Sequence, residues 1–323
     1  MARTFEELQE AVRGFQESRA LLTALELDVF TAIGPGSTAA EVARRVGADA
    51  RATEMLLNAL VALEALGKRE GRFYNTDVTR DYFMTGGAHE ARHALLHQSR
   101  LWRTWSTLTE AVKEGTAVAP REDDPAGREA FIAAMHRNAQ ERAAFVLDAV
   151  GALSVRKLLD LGGGSGAYSI AFAQANPELR ATIFDLEPVL AIAQRNIRAA
   201  GLSERIRTQP GDLLSDTFGG GYDLALLSAI CHMFSPAENR DLLKRVYAAL
   251  NAGGRVVVQD FILEAERTAP VFAAMFSLNM LVGTRGGSSY TAGDYQQWLE
   301  EAGFRKVQHV RLPGMTGLMV AGR

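Results

Sequence analysis

Apolar residues recur at helical spacing from the start of the chain. Phe5, Leu8, Val12 and Phe15 fall three to four apart, and Leu22, Leu25 and Phe30 continue the pattern. Thr38 followed by Glu41 predicts a capping box, and Gly47 a stop. A further helix is predicted over 49–66, with Met55, Leu56, Ala59, Leu60 and Leu63 on one face and an end at Gly67. "KREGRFYN" then reads as a hairpin turning at Glu70-Gly71. Helices followed by a hairpin predict a winged helix over 1–95. Residues 96–150 read as a helical connector, broken by a loop at 115–127 that holds Pro120 and Pro125. From 151 to 323 the pattern changes to strands alternating with helices. That alternation predicts an α/β fold with a doubly wound, mostly parallel Rossmann-like sheet. The last segment, "FRKVQHVRLPGMTGLMVAGR", predicts an antiparallel pair at the sheet edge.

Composition narrows the function classes. Hydrophobic residues make up 47% and charged residues 23%, which is ordinary for a globular protein. The net charge of −3 gives no electrostatic attraction to nucleic acid or an anionic membrane. A winged helix that reads DNA needs a basic footprint. Here the helix over 49–66 has Arg51 against Asp49, Glu54 and Glu64, so a DNA-binding regulator is disfavoured. The one cysteine, Cys231, excludes an internal disulfide and a cysteine metal cluster, and the chain is expected in the reducing cytoplasm. The longest nearly apolar run, 271–283, is too short to span a bilayer and contains Ser277 and Asn279.

Candidate chemistry begins at "LLDLGGGSGAYS", where Gly162, Gly164 and Gly166 lie between a predicted strand and helix. Glycines there let backbone turn tightly and approach a ligand. Asp185 ends the next strand, 19 residues after Gly166, where a carboxylate accepts hydrogen bonds from ribose hydroxyls. Asp212, in "GDLL" after Gly211, ends the third strand within reach of an adenine edge. The spacing lacks the further glycine of a dinucleotide fingerprint. Asp160, just before the loop, would repel a pyrophosphate but suits an ammonium and a sulfonium. The loop therefore favours S-adenosylmethionine over NAD. No cluster of metal-ligand spacing is present, and no metal is expected.

"LLDLGGGSGAYS", "IFDLEPVL", "PGDLL", "LLSAICHMFSPAENRDLLKRVYAALNAGG", "VVVQDFIL" and "GGSSYT", in this order, resemble the plant-type small-molecule O-methyltransferases and their bacterial relatives, the family of caffeic acid and acetylserotonin O-methyltransferases. The resemblance covers nearly the whole chain. It implies an N-terminal winged-helix domain used for homodimerisation and a C-terminal domain, 151–323, that binds S-adenosylmethionine. It further implies that Gly162, Gly163 and Gly164 line the cofactor, that Leu186 lies beside Asp185, and that Leu213 joins Asp212 at the adenine. His232 matches the family's general base, and Asp260 an acid that orients it. Three positions depart from the plant pattern. Met233 replaces an acid after the histidine, Ser289 a second flanking acid, and Ser228 a lysine that often touches the methionine carboxylate.

His232 lies just past a strand end, where this fold places ligands. A phenol with pKa near 10 is only about 0.1% ionised at pH 7, and full ionisation costs about 4 kcal/mol. A neutral histidine can take that proton as the new bond forms. Phe131, Met135 and Asn138 share one helical face, and Met275, Phe276, Asn279 and Met280 another. Methionine and aromatic walls suit a flat acceptor, and the resemblance assigns Phe131, Met135 and Met280 to the pocket. The expectation is O-methylation of a small, aromatic hydroxyl compound. C- or N-methylation on the same scaffold, or a non-methylating enzyme that uses the same cofactor, are the alternatives.

Overall fold

The computed structural model describes residues 3–120 and 125–323, without the side chains of residues 93, 94, 125, 126, 128–130, 133, 134, 138, 141 and 152. The chain divides into two compact units, Met1–Arg103 and Thr104–Arg323.

In the first unit, five helices precede a two-stranded hairpin. They are Phe5–Arg13, Phe15–Glu26, Val29–Ile33, Ala39–Val46 and Ala50–Ala62. Strands β1 (Leu66–Arg69) and β2 (Arg72–Asn75) pair antiparallel around Glu70 and Gly71, both at positive φ. The Thr38–Glu41 capping box is formed, and Gly47 closes that helix in the left-handed region. Leu25, Phe30, Ile33, Leu57, Leu60 and Phe73 fill the core. The helix expected over 49–66 ends earlier, at Ala62. Glu64 turns to φ 58° and the Ala65 N–H bonds back to Leu60, so Gly67 falls inside β1 rather than past a helix. The first helix buries none of its residues, and Phe5 and Val12 are 73% and 74% exposed.

The second unit is built on a seven-stranded sheet. Its strands are β3 (Lys157–Leu161), β4 (Arg180–Asp185), β5 (Ile206–Pro210), β6 (Tyr222–Ser228), β7 (Leu250–Asp260), β8 (Arg305–Arg311) and β9 (Gly317–Gly322). The order is β5-β4-β3-β6-β7-β9-β8, with β3 to β7 parallel and β9 antiparallel to both its neighbours, β7 and β8. "LALL" in β6 is a continuous apolar run, and residues 158–161 of β3 are all buried, as strands covered on both faces require. Two cores flank the sheet, one around Leu159, Leu227 and Trp298, the other around Leu158, Phe172 and Ile183. The strand order reverses at β3, which opens a crevice beyond the carboxyl ends of β3, β4 and β6. Leu161, Asp185, Pro210, Ser228 and Asp260 are all strand ends on that edge. No helix among the described residues is long and apolar enough to cross a membrane.

Candidate active site

The glycine loop leaves β3 with Gly162, Gly164 and Gly166 at φ 65°, 57° and 78°, a region open to glycine at little cost. A Cβ on Gly162 would stand 2.2 Å from Ile230 Cδ1, so the loop packs this closely on Ile230 only without a side chain there. The Gly164 N–H donates to Asp185 Oδ2 at 2.8 Å, and the Leu186 N–H to Oδ1 at 2.7 Å. Each oxygen keeps a second lone pair for a ligand hydroxyl. Burial raises the Asp185 pKa against those two backbone donors. Asp160 is buried beneath the loop, accepts from Ser169 Oγ at 2.7 Å, and burial pushes its pKa up to about 6. Gly163 packs directly over its carboxyl, where a Cβ would lie 2.8 Å from Cγ. Beyond β5, Asp212 Oδ1 accepts the Leu214 N–H at 2.8 Å and shapes the turn, while Leu213 packs on the core and Leu186 is exposed. A Cβ on Gly211 would meet the Phe184 ring at 2.3 Å. A cradle without Cβ atoms, a carboxylate set for a diol and a buried acid beneath the loop fit an adenosyl sulfonium ligand.

His232 sits in the short 3-10 turn Cys231–Met233 that follows β6. The chain enters it through Ala229, at φ 57°, a strained value for a residue with Cβ. It leaves through Ser235, whose capping box with Glu238 starts the helix Pro236–Ala249. Asn239, fully buried on that helix, donates from Nδ2 to the carbonyls of Cys231 (2.9 Å) and Phe234 (3.1 Å). The Tyr290 hydroxyl also donates to the Phe234 carbonyl. The turn is thus gripped at both ends.

His232 Nδ1 lies 2.6 Å from Asp260 Oδ1, and its backbone N–H donates to Oδ2 at 3.1 Å. The Phe261 N–H and the Tyr295 hydroxyl complete the carboxylate's shell, each at 2.9 Å. Burial alone would raise the Asp260 pKa, but the adjacent His232 and these donors hold it below the usual carboxylate value. Burial and Asp260 keep the Tyr295 phenol neutral, hence a donor. An ionised Asp260 can only accept, so Nδ1 carries a hydrogen, and in the neutral ring the lone pair is on Nε2. That is the arrangement of a base oriented by an acid.

The rings of Phe276 and Phe261 stand 4.9 and 5.9 Å from the imidazole, and Phe272 extends the same aromatic cluster. Phe276 lies on the helix Val271–Gly283 with Met275, exposed, and Met280, buried. Asn279, on the same helix, accepts from Trp105 Nε1 at 2.8 Å, which aims its amide. Phe131 and Met135 are exposed on the helix Pro125–Val150, and the Asn138 side chain lies outside the described residues. Ser228 Oγ donates to Gln259 Oε1, which also accepts from Tyr168. Ser289 is buried with no partner for its hydroxyl, and Met233 is 46% exposed. Asp260 is therefore the one carboxylate bonded to His232 among the described residues.

Sequence reading did not find Asn239, Tyr295, Phe261 or Phe272. For Asn239 a signal existed. It shares a helical stripe with Leu242, Leu243 and Val246, and a polar residue in an apolar stripe asks for a buried partner. No group of His, Cys, Asp and Glu able to hold a metal occurs among the described residues.

The O-methyltransferase domain model matches residues 105–305, and the O-methyltransferase dimerisation domain model matches residues 9–85. A 3-hydroxy-5-methyl-1-naphthoate 3-O-methyltransferase of Streptomyces sahachiroi is 34% identical, over 98% of this chain and 94% of its own. An L-tyrosine C(3)-methyltransferase of Streptomyces lavendulae is 31% identical, over 93% and 88%. The crystal structure of human N-acetylserotonin methyltransferase in complex with S-adenosylmethionine superposes with a TM-score of 0.85 at 28% identity, over 100% of this chain and 98% of that one.

Proposed function

The chain belongs to the S-adenosylmethionine-dependent O-methyltransferase family, and on that premise we propose that it methylates a hydroxyl of a small aromatic acceptor with His232 as general base. The observation that carries this reading is the 2.6 Å contact of His232 Nδ1 with Asp260, which leaves Nε2 free. Gly162, Gly163, Gly164, Gly166, Asp185, Leu186, Gly211, Asp212, Leu213 and Ser228 are the residues that would hold the cofactor. The cofactor supplies an electrophilic methyl group on a sulfonium. His232 Nε2 takes the acceptor's hydroxyl proton as the oxygen attacks, and the Asp260 carboxylate balances the imidazolium charge. Phe261, Phe272 and Phe276 hold a flat ring beside Nε2, and holding the acceptor in line contributes much of the rate. Phe131, Met135, Asn138, Met275, Asn279 and Met280 complete the proposed acceptor wall.

The same proposal includes a homodimer formed through the N-terminal unit. The dimerisation domain and the uncovered apolar stripe of the helix Phe5–Arg13 support it. A cytoplasmic location is supported by the single cysteine, a buried free thiol.

A second reading, transfer to a ring carbon, is favoured by the tyrosine C-methyltransferase among the relatives. Incubation with methyl-deuterated S-adenosylmethionine and a pool of small phenols, read by mass spectrometry, separates the two. A label on oxygen supports the first reading and a label on carbon the second. A label on neither, with cofactor binding intact, counts against both.

A further inference from the structure

The amino-terminal edge of the sheet, opposite the crevice, carries a cavity of about 290 Å³. Its origin is topological. The connection from β5 to β6, residues 211–221, contains no helix, so the ends of β3, β4 and β5 lack a cover on that face. Lys157, Arg180, Arg205 and Arg207 line the opening, with Glu204 as the one carboxylate. None of these four cations has an ion-pair partner among the described residues, whereas Arg156 nearby is paired with Glu178. Arg207 is fixed from below. Its Nε donates to Thr182 Oγ1 at 2.9 Å and its Nη2 to Tyr222 Oη at 3.3 Å. Those two hydroxyls are buried and bond to each other at 3.2 Å. The Arg180 and Arg205 guanidiniums are anchored by main-chain carbonyls of Glu204, Asn176 and Pro177, which orient them without neutralising them.

Four unneutralised cations around one concavity are unexpected in a chain of net charge −3. Like charges held together at a surface repel unless an anion joins them. Guanidiniums fixed by neutral oxygens still offer free N–H groups in the fork geometry that suits phosphate oxygens. From this geometry we propose that the cavity is a second ligand site, separate from the catalytic crevice, for a phosphate-type anion, either inorganic phosphate or the phosphate group of a small metabolite. Arg180 and Arg207 grip the phosphate oxygens, and Lys157 balances the second charge.

The test is a titration of the full chain with inorganic phosphate and, in a parallel arm, glycerol 3-phosphate, followed by 31P line broadening at ionic strength held constant with chloride. Saturation at one site, unchanged by excess S-adenosylhomocysteine, is expected. Tighter binding of the ester assigns the site to a phosphorylated metabolite, and equal or weaker binding assigns it to free phosphate. Arg180→Gln, at an exposed position, is expected to weaken binding by at least tenfold while S-adenosylhomocysteine affinity stays as in the parent. Arg207→Gln serves as a second variant. Broadening that does not saturate, that S-adenosylhomocysteine abolishes, or that survives Arg180→Gln unchanged would overturn the proposal.

Discussion

His232 and Asp260 come from different strand ends, 28 residues apart, yet meet at 2.6 Å with every oxygen lone pair of the carboxylate directed at a donor or a neighbouring group. The acid is preorganised before any ligand arrives. Asp260→Asn places an amide against Nδ1, removes the negative charge and loses the preference for hydrogen on Nδ1. Turnover is expected to fall about 100- to 10,000-fold, the range for a positioned acid–base pair. Tyr295→Phe removes one donor to a charged group, worth about 1.5–3 kcal/mol of stability. It is expected to lower turnover far less. Steady-state kinetics and thermal unfolding of both variants check this.

Asp160 gives a pH signature. Its folded pKa is raised from 3.8 to about 6, so ionisation costs stability. The penalty is absent below pH 3.8, grows as pH rises to about 6, and is constant above. Asp160→Asn is expected to stabilise the protein without cofactor by up to about 3 kcal/mol at pH 7.5, at about 1.36 kcal/mol per pKa unit. The difference from the parent should vanish near pH 4. The same variant is expected to bind S-adenosylmethionine more weakly, because a negative charge buried beneath the glycine loop is gone. Denaturant unfolding across pH and calorimetric titration read the two effects.

For Asp260 the sign is opposite. Its folded pKa is lowered, so its contribution is full above pH 3.8 and is lost as pH falls below that value. An acid limb of unfolding is therefore expected below pH 4, and Asp260→Asn is expected to flatten it.

Gly162→Ala would place a methyl 2.2 Å from Ile230 in a backbone region at φ 65°. Such strain costs about 1–3 kcal/mol. S-adenosylhomocysteine affinity is expected to fall about 10- to 100-fold, measured by calorimetry, with the circular dichroism spectrum retained.

Sequence pattern carried the scaffold because the two signals differ in period. The Thr38 cap, the hairpin at Glu70-Gly71 and the apolar strand ending at Asp185 are local features. The boundary near Glu64 was misread because a left-handed residue other than glycine leaves no mark in the pattern. The candidate site was legible only in part. Asp185 and the glycine loop are near in sequence and share one motif. Tyr295 reaches Asp260 only because the helix Ala292–Ala302 packs against the helix Pro236–Ala249 and β8, a placement no spacing encodes. Phe261 meets Phe272 and Phe276 through the same kind of tertiary packing, whereas Phe272 and Phe276 are neighbours four apart on one helix.

The uncovered stripe on the first helix predicts an association defect. Val12→Asp puts a charge where Phe5, Leu8 and Phe15 expose apolar surface. The proposed dimer is expected to dissociate to monomer at micromolar concentration in light scattering, while the parent stays dimeric. A dimer that survives the charge places the interface elsewhere.

The central claim is that His232 removes the acceptor proton. The direct measurement is single-turnover methyl transfer by His232→Ala, with S-adenosylhomocysteine affinity measured on the same preparation. The account predicts a rate lower by about 100- to 10,000-fold, with affinity within about twofold of the parent because the proposed cofactor residues are untouched. A methyl-transfer rate equal to the parent's would contradict it.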